Sequence, residues 1–337
     1  MRHPAAIRTS LAALAGVSLL LTGCGSGSGA APASAGAQSS DGVVDVVAST
    51  NVYGDIAAAI GGDKVKVTSI ITKTSQDPHS YEATAQDRLL VSKAELVIEN
   101  GGGYDTFLHK MADDSHIPHA NIITAVDVAG LAPEDSHTES SPAAQSPAAG
   151  ASPSADGHAH SEFNEHVWYS MDAMGKLADS VAAKLGDIEP ASASLFSSNA
   201  ATFKAGVGGL ADKLAALKAH GSGAPVAVTE PVPLYLLEAA GLENRTPAEY
   251  TAAIEEGSDV PPAVLKAATE LAGSKDIRFL AYNKQTEGPQ TLALKKAAES
   301  AGVPVIDFSE TLPEGKTYLQ WMTDNVQNVS KVLEKNS

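Results

Sequence analysis

The stretch ASASLFSSNAATFKAGVGGLADKLAALKA, residues 191–219, decides how the rest of the chain is read. It is a long helix candidate, weakened by Gly206, Gly208 and Gly209, each of which costs about 1 kcal/mol against alanine in a helix interior. Short apolar runs rich in valine and isoleucine lie on both sides of it. Before it come VVDVVAST (43–50), KVKVTSII (64–71), ELVIEN (95–100) and NIITAV (121–126). After it come PVAVTE (225–230), IRFLAYN (277–283) and VPVIDFSE (303–310). Amphipathic segments fall between the runs, among them DRLLVSKA (87–94), LYLLEAAGL (234–242) and PPAVLKAATELAG (261–273). Such alternation is expected of parallel sheets covered by helices on both faces. Leu319, Met322, Val326, Val329 and Leu333, spaced by threes and fours, predict a closing amphipathic helix.

The expected fold is therefore α/β, with two Rossmann-like lobes joined by one long rigid helix. The boundaries read as residues 42–190 for the first lobe, 191–220 for the linking helix and 221–337 for the second lobe. Roughly 295 residues follow the N-terminal segments, which is more than one comfortable core and suits two lobes of ordinary size. Residues 133–165, PEDSHTESSPAAQSPAAGASPSADGHAHSEFNE, have almost no large apolar side chain, so a mobile loop is expected over about 133–163. It carries His137, His158 and His160, which either bind metal loosely on a tether as an auxiliary set or are incidental to a tolerated insertion.

Residues 1–23 hold Arg2, Arg8 and the apolar run LAALAGVSLLL (11–21) without an acid, which reads as a secretory signal. The run is well short of the roughly 20 residues that span a bilayer. Cys24, the only cysteine, follows Leu21-Thr22-Gly23 and precedes a Gly/Ser/Ala-rich tether to residue 41. Its setting resembles the lipobox of bacterial lipoproteins, which implies lipid on the Cys24 thiol and anchorage to the cell membrane outside the cytoplasm. Without the signal the chain has 21 basic against 40 acidic residues, a net charge of about −19. Nucleic acid is thereby excluded as a natural partner.

In open parallel sheets the ligand sits outside the carboxyl ends of the strands, so the polar residues just after each run are the candidates. These are His79 after the second run, His166 ahead of VWYSMDAMGKLA, Glu230 ending PVAVTE and Glu310 ending VPVIDFSE. Two neutral imidazoles and two carboxylates make a site of formal charge −2, which a divalent cation brings to zero. Asp77 and Asn164, each two residues ahead of a histidine, are candidates to orient the rings.

Several longer stretches resemble the zinc/manganese solute-binding lipoproteins of metal ABC importers. They are residues 48–87 with DPHSY, AELVIENGGGYDTFL (94–108), NEHVWYSMDAM (164–174), VTEPVPLYLLEAAGL (228–242) and SETLPEGKTYLQWM (309–322). The resemblance implies two lobes, one long helix and a metal ion between the lobes. It puts the ligands at His79, His166, Glu230 and Glu310, with Asp307 and Glu287 as rivals for the fourth place. It also implies an ABC permease as partner and zinc or manganese as the transported ion, with zinc favoured by the histidine-bearing loop. A monomer without enzymatic activity is expected.

Two other classes compete. A metallohydrolase with an open zinc position would need a free coordination site, and no HExxH or GxSxG is present. An adhesin or organic-solute binder would need an aromatic, apolar pocket, whereas 5% of the chain is aromatic.

Overall fold

In the computed structural model, which describes residues 42–131 and 163–335, the valine and isoleucine runs form two four-stranded parallel sheets. The first lobe comprises β1 (Val44–Thr50), α1 (Asn51–Gly61), β2 (Val65–Ile71), α2 (Ala85–Val91), β3 (Leu96–Glu99), α3 (Thr106–Asp114), β4 (Ile122–Thr124), α4 (Ala125–Ala129) and α5 (Met171–Ile188). The linking helix is α6 (Ala193–Gly221). The second lobe comprises β5 (Ala224–Val228), α7 (Leu234–Ala239), β6 (Leu242–Asn244), α8 (Ala248–Glu255), α9 (Pro262–Ala272), β7 (Leu280–Asn283), α10 (Pro289–Ala301), β8 (Val305–Phe308) and α11 (Tyr318–Lys335). The expected signal and tether, with Cys24, and the loop histidines His137, His158 and His160 lie outside the described residues.

Strand order is β2-β1-β3-β4 in one sheet and β6-β5-β7-β8 in the other. Both lobes start on an inner strand, step outward, and then cross back over it. The crevice where the direction reverses lies between β1 and β3 and, equivalently, between β5 and β7. β3 is buried at all four residues and β1 at six of seven, as expected for inner strands covered on both faces. The segment 234–242 departs from its helical expectation. α7 stops at Ala239, Gly241 turns the chain at φ +79°, and Leu242 opens a three-residue edge strand.

α6 has 29 residues and so runs about 43 Å. It buries Phe196, Ala200, Phe203, Val207, Leu210 and Leu214 at alternating spacings of four and three, a seam that packs on α5, α1 and α11. At Gly206 an added Cβ would stand 2.6 Å from Leu319 Cδ1, so glycine there admits α11. Gly208 and Gly209 face open space.

The lobes share an interior. One continuous cluster joins Val46 and Ala48 of β1 through α5 and α6 to Val226 and Val228 of β5 and to Trp321 and Val326 of α11. Separate clusters fill the outer faces, around Leu108 and Met111 in the first lobe and Tyr250 and Leu294 in the second. The segment leading into α11 is tied back to the first lobe. Leu312 N–H donates to Asn51 Oδ1 and Asn51 Nδ2 donates to Leu312 O, both at 2.9 Å. Tyr318 N–H donates to Asp55 Oδ2 (2.7 Å) and its hydroxyl to Trp168 O (2.6 Å). Among the described residues no helix is long and apolar enough to cross a membrane.

Candidate metal centre

His79 sits in the loop after β2, where Asp77 Oδ1 accepts from His79 N–H (2.9 Å) and Asp77 Oδ2 from Ser80 Oγ (2.7 Å). Asp77 thus holds the main chain of His79, whereas the sequence suggested a contact with the ring. His166 precedes a 3-10 turn at Val167–Tyr169 and is buried. Asn164 Oδ1 accepts from His166 N–H (3.1 Å) and lies 2.7 Å from its Nδ1. An amide oxygen there selects the tautomer with Nδ1–H, leaving Nε2 as the free lone pair. The ring of Tyr104 stands edge-on to His79 at 5.0 Å, and Trp168 stands edge-on to His166 at 5.1 Å.

Glu230 follows β5 and Glu310 follows β8, both buried at the carboxyl ends of the second sheet. Donor atoms of His79, His166 and Glu310 all lie within 4.8 Å of one another. Glu230 is outside that triad and is linked to it by Asn283, whose Nδ2 donates to Glu230 Oε2 (2.6 Å) and to Glu310 Oε1 (2.7 Å). Thr286 Oγ1 also donates to Glu230 Oε2. Gln285 Oε1 accepts from the N–H groups of Glu310 (2.7 Å) and Thr311 (2.9 Å). Of the rivals for the fourth place, Asp307 and Glu287 are both exposed, and Glu287 accepts from the Tyr282 hydroxyl (3.0 Å).

A second triad shares one residue with the first: donor atoms of His79, Glu165 and Glu255 also lie within 4.8 Å of one another. It stands nearer the mouth of an interlobe cleft lined by Asp77, His79, Glu230, Glu255, Glu256 and Asp259, among others, with no lysine or arginine among the described lining residues.

Burial without a cation sets the electrostatics. Burial pushes the Glu165 carboxyl up to about 9, helped by Glu255, Asp105 and Glu310. Burial, with Glu310 adding, raises Glu255 to about 7. Glu230 and Glu310 are raised by burial as well. Glu310 is pushed further by Glu230, while hydrogen bonds from Thr286 and Asn283 partly relieve Glu230. His166 is driven well below its usual value by burial and then by His79, so its imidazole is neutral. Neutral imidazoles and crowded carboxylates are what a divalent cation needs, and one cation supplies the missing positive charge.

Among the residues at this centre that were not singled out from sequence, Asn283, Asn100, Glu165 and Glu255 differ in how far a signal reached them. Asn283 ends FLAYN at a strand's carboxyl end, so the rule that found Glu230 also reaches it. Asn100, ending ELVIEN, is its counterpart in the first lobe and donates to Glu165 O (3.0 Å). Glu165 is adjacent to His166, a local signal. Glu255 lies in AEYTAAIEEG and gives no sign; only the packing of α8 brings it in.

Two α/β lobes around a shared interior, with imidazoles from one and carboxylates from both converging in the cleft, define a two-lobed binding protein with a metal-type donor set. The chain belongs to the family of the zinc-uptake complex component A, periplasmic (ZnuA), whose profile matches residues 46–332. It is 28% identical over 198 residues to the manganese-binding lipoprotein MntA of Bacillus subtilis, a match covering 58% of this chain and 54% of MntA. It is 40% identical over 68 residues to the manganese ABC transporter substrate-binding lipoprotein ScaA of Streptococcus gordonii, covering 20% of this chain and 22% of ScaA. The chain thus spans about half, or less, of the length of these curated relatives. In fold it is similar to the binding protein FpvC of Pseudomonas aeruginosa in complex with Mn2+, with TM-score 0.66 and 20% identity over 88% of this chain and all of that one.

Proposed function

We propose that the protein binds a divalent transition metal ion outside the cytoplasm and delivers it to the permease of an ABC importer. One observation carries this reading: imidazoles of the first lobe and a carboxylate of the second have donor atoms within 4.8 Å of one another, in a cleft whose described lining holds no lysine or arginine. The ligands are His79, His166, Glu310 and Glu230, the last brought in by a small shift of the carboxylate that Asn283 holds. Four protein donors leave no open position for a substrate water, which favours a carrier over a metallohydrolase. The family's name points to zinc and the relatives' names to manganese and an ABC importer. Two carboxylates harden the site toward manganese, but the Irving–Williams order favours zinc at nitrogen and oxygen donors. Lipid on Cys24 would keep the carrier at the membrane, consistent with the relatives' description as lipoproteins. The working unit is a monomer in which residues 42–190 and 221–337 act as lobes about the helix. The histidines of the 133–163 loop act as an auxiliary collector.

Calorimetric titration of metal-depleted protein tests this. One tightly held zinc per chain is expected, bound more tightly than manganese in direct competition, beside weaker binding by the loop histidines. Undiminished affinity after alanine replacement of His79, His166, Glu230 and Glu310 in turn would refute the ligand set.

A further inference from the structure

We infer that the cleft holds a second, outer position for the transported ion, made by His79, Glu165 and Glu255, with His79 common to both positions. The inference rests on the metal-carrier reading. Its basis is geometric. His79 Nε2 is 3.3 Å from Glu165 Oε1, and Glu255 completes a set whose donor atoms fall within 4.8 Å. Donors about 2.0–2.2 Å from one ion lie roughly 3–3.5 Å from each other, so small rotations bring the three into range. One imidazole and two carboxylates carry the same formal charge that a divalent cation cancels.

Burial distinguishes the two positions. The side chains of the outer set are 28% (His79), 12% (Glu165) and 27% (Glu255) exposed, against 1% for His166. Glu255 also reaches inward, its Oε1 lying 3.9 Å from His166 Nδ1. An ion arriving from the acidic cleft would have to shed its water in one step to reach the buried triad directly, and desolvating a charge without immediate compensation is costly. At the outer position it exchanges part of its hydration shell for Glu165 and Glu255 while His79 binds it. A swing of His79 then carries it to His166 and Glu310. Because His79 serves both positions, they are filled in turn, and the two together hold one ion.

Two measurements test this. In stopped-flow competition with a chromophoric zinc chelator at 0.5 M salt, where the screening length is about 4 Å, E165Q/E255Q is expected to slow zinc association about tenfold. Dissociation should slow by a similar factor, leaving Kd within about threefold. E256Q, which removes a cleft charge outside the set, should change association less than about twofold at that salt. In H166A/E310A lacking residues 136–161, and so the loop histidines, one weakly bound zinc per folded chain is expected, and adding E165Q/E255Q should abolish it. An unchanged association rate in E165Q/E255Q overturns the outer position, as does equal slowing by E256Q or a large loss of affinity without a change in association rate. If the wild type binds no ion, the carrier reading itself has failed. If it binds one ion tightly but the rates do not move, only the outer position has failed.

Discussion

The Tyr104 hydroxyl of the first lobe donates to Glu310 Oε2 of the second at 3.1 Å, across the cleft. Tyr104 is buried, and burial together with Glu310 holds its hydroxyl protonated as a donor. Hydrogen bonds to charged groups contribute about 1.5–3 kcal/mol, so Tyr104→Phe should weaken zinc binding about tenfold. Asn283→Ala, which frees both Glu230 and Glu310, should weaken it by about 10–100-fold. Competition titration checks both, and an unchanged Kd in Asn283→Ala would remove Asn283 from any role at the site.

Removing a ligand should cost more than removing its support. Alanine at His79, His166, Glu230 or Glu310 should each lower zinc affinity by at least about 100-fold, since the charged site is left short of a donor. Asp307→Ala and Glu287→Ala, at exposed positions, should leave it unchanged. Calorimetry on the six variants decides the fourth ligand, and a loss at Asp307 with none at Glu310 would reassign it.

Stability of the metal-free protein should fall between pH 6.5 and 9. Glu165 has a folded value of about 9 and Glu255 of about 7, both above the roughly 4.3 of an unfolded glutamate. Over that window the folded state binds more protons than the unfolded state, so each pH step disfavours folding. His166 has the opposite sign. Its lowered folded value means stability is lost as pH falls below about 6.5, where the unfolded imidazole charges. Zinc displaces the protons of its carboxylate ligands Glu230 and Glu310, which burial also raises, so the Tm gap between loaded and metal-free protein should widen from pH 6.5 to 8. A gap that stays constant over this range would contradict the assignment.

The glycines of α6 separate by environment. Gly208→Ala and Gly209→Ala, facing open space, should each stabilise the protein by about 1 kcal/mol in urea unfolding. Gly206→Ala forces Leu319 aside and should fall below both, because overpacking offsets the helix gain. Equal effects at the three positions would mean that α11 does not rest on Gly206.

Much of the fold was legible because inner parallel strands are buried on both faces and so read as apolar runs, as VVDVVAST and ELVIEN do. The helix over 191–220 and the closing helix through Leu333 were legible for the same reason, in a different period. β6 was not, since three residues after Gly241 carry too little pattern to outweigh the helical reading of LYLLEAAGL. At the site, strand ends pointed to Glu230 and Glu310, and local wording pointed to His79 and His166. Tyr104 and Glu255 were hidden because they reach the centre by tertiary packing alone, from the loop before α3 and from the end of α8.

The short segment 309–312 is gripped from two sides. From the first lobe Tyr169 donates to Ser309 O (2.8 Å), Tyr104 to Glu310 and Asn51 exchanges bonds with Leu312. From the second, Gln285 and Asn283 hold Glu310 and Thr311. Any parting of the lobes must therefore drag this tongue of chain off one set of grips, and Glu310 rides on it. If Glu310 is a ligand as proposed, mechanical work done on the cleft is delivered straight to the bound ion. A permease that pries the lobes by a small amount need not touch the ion to loosen it, and how long the ion stays and how the lobes are set become a single quantity.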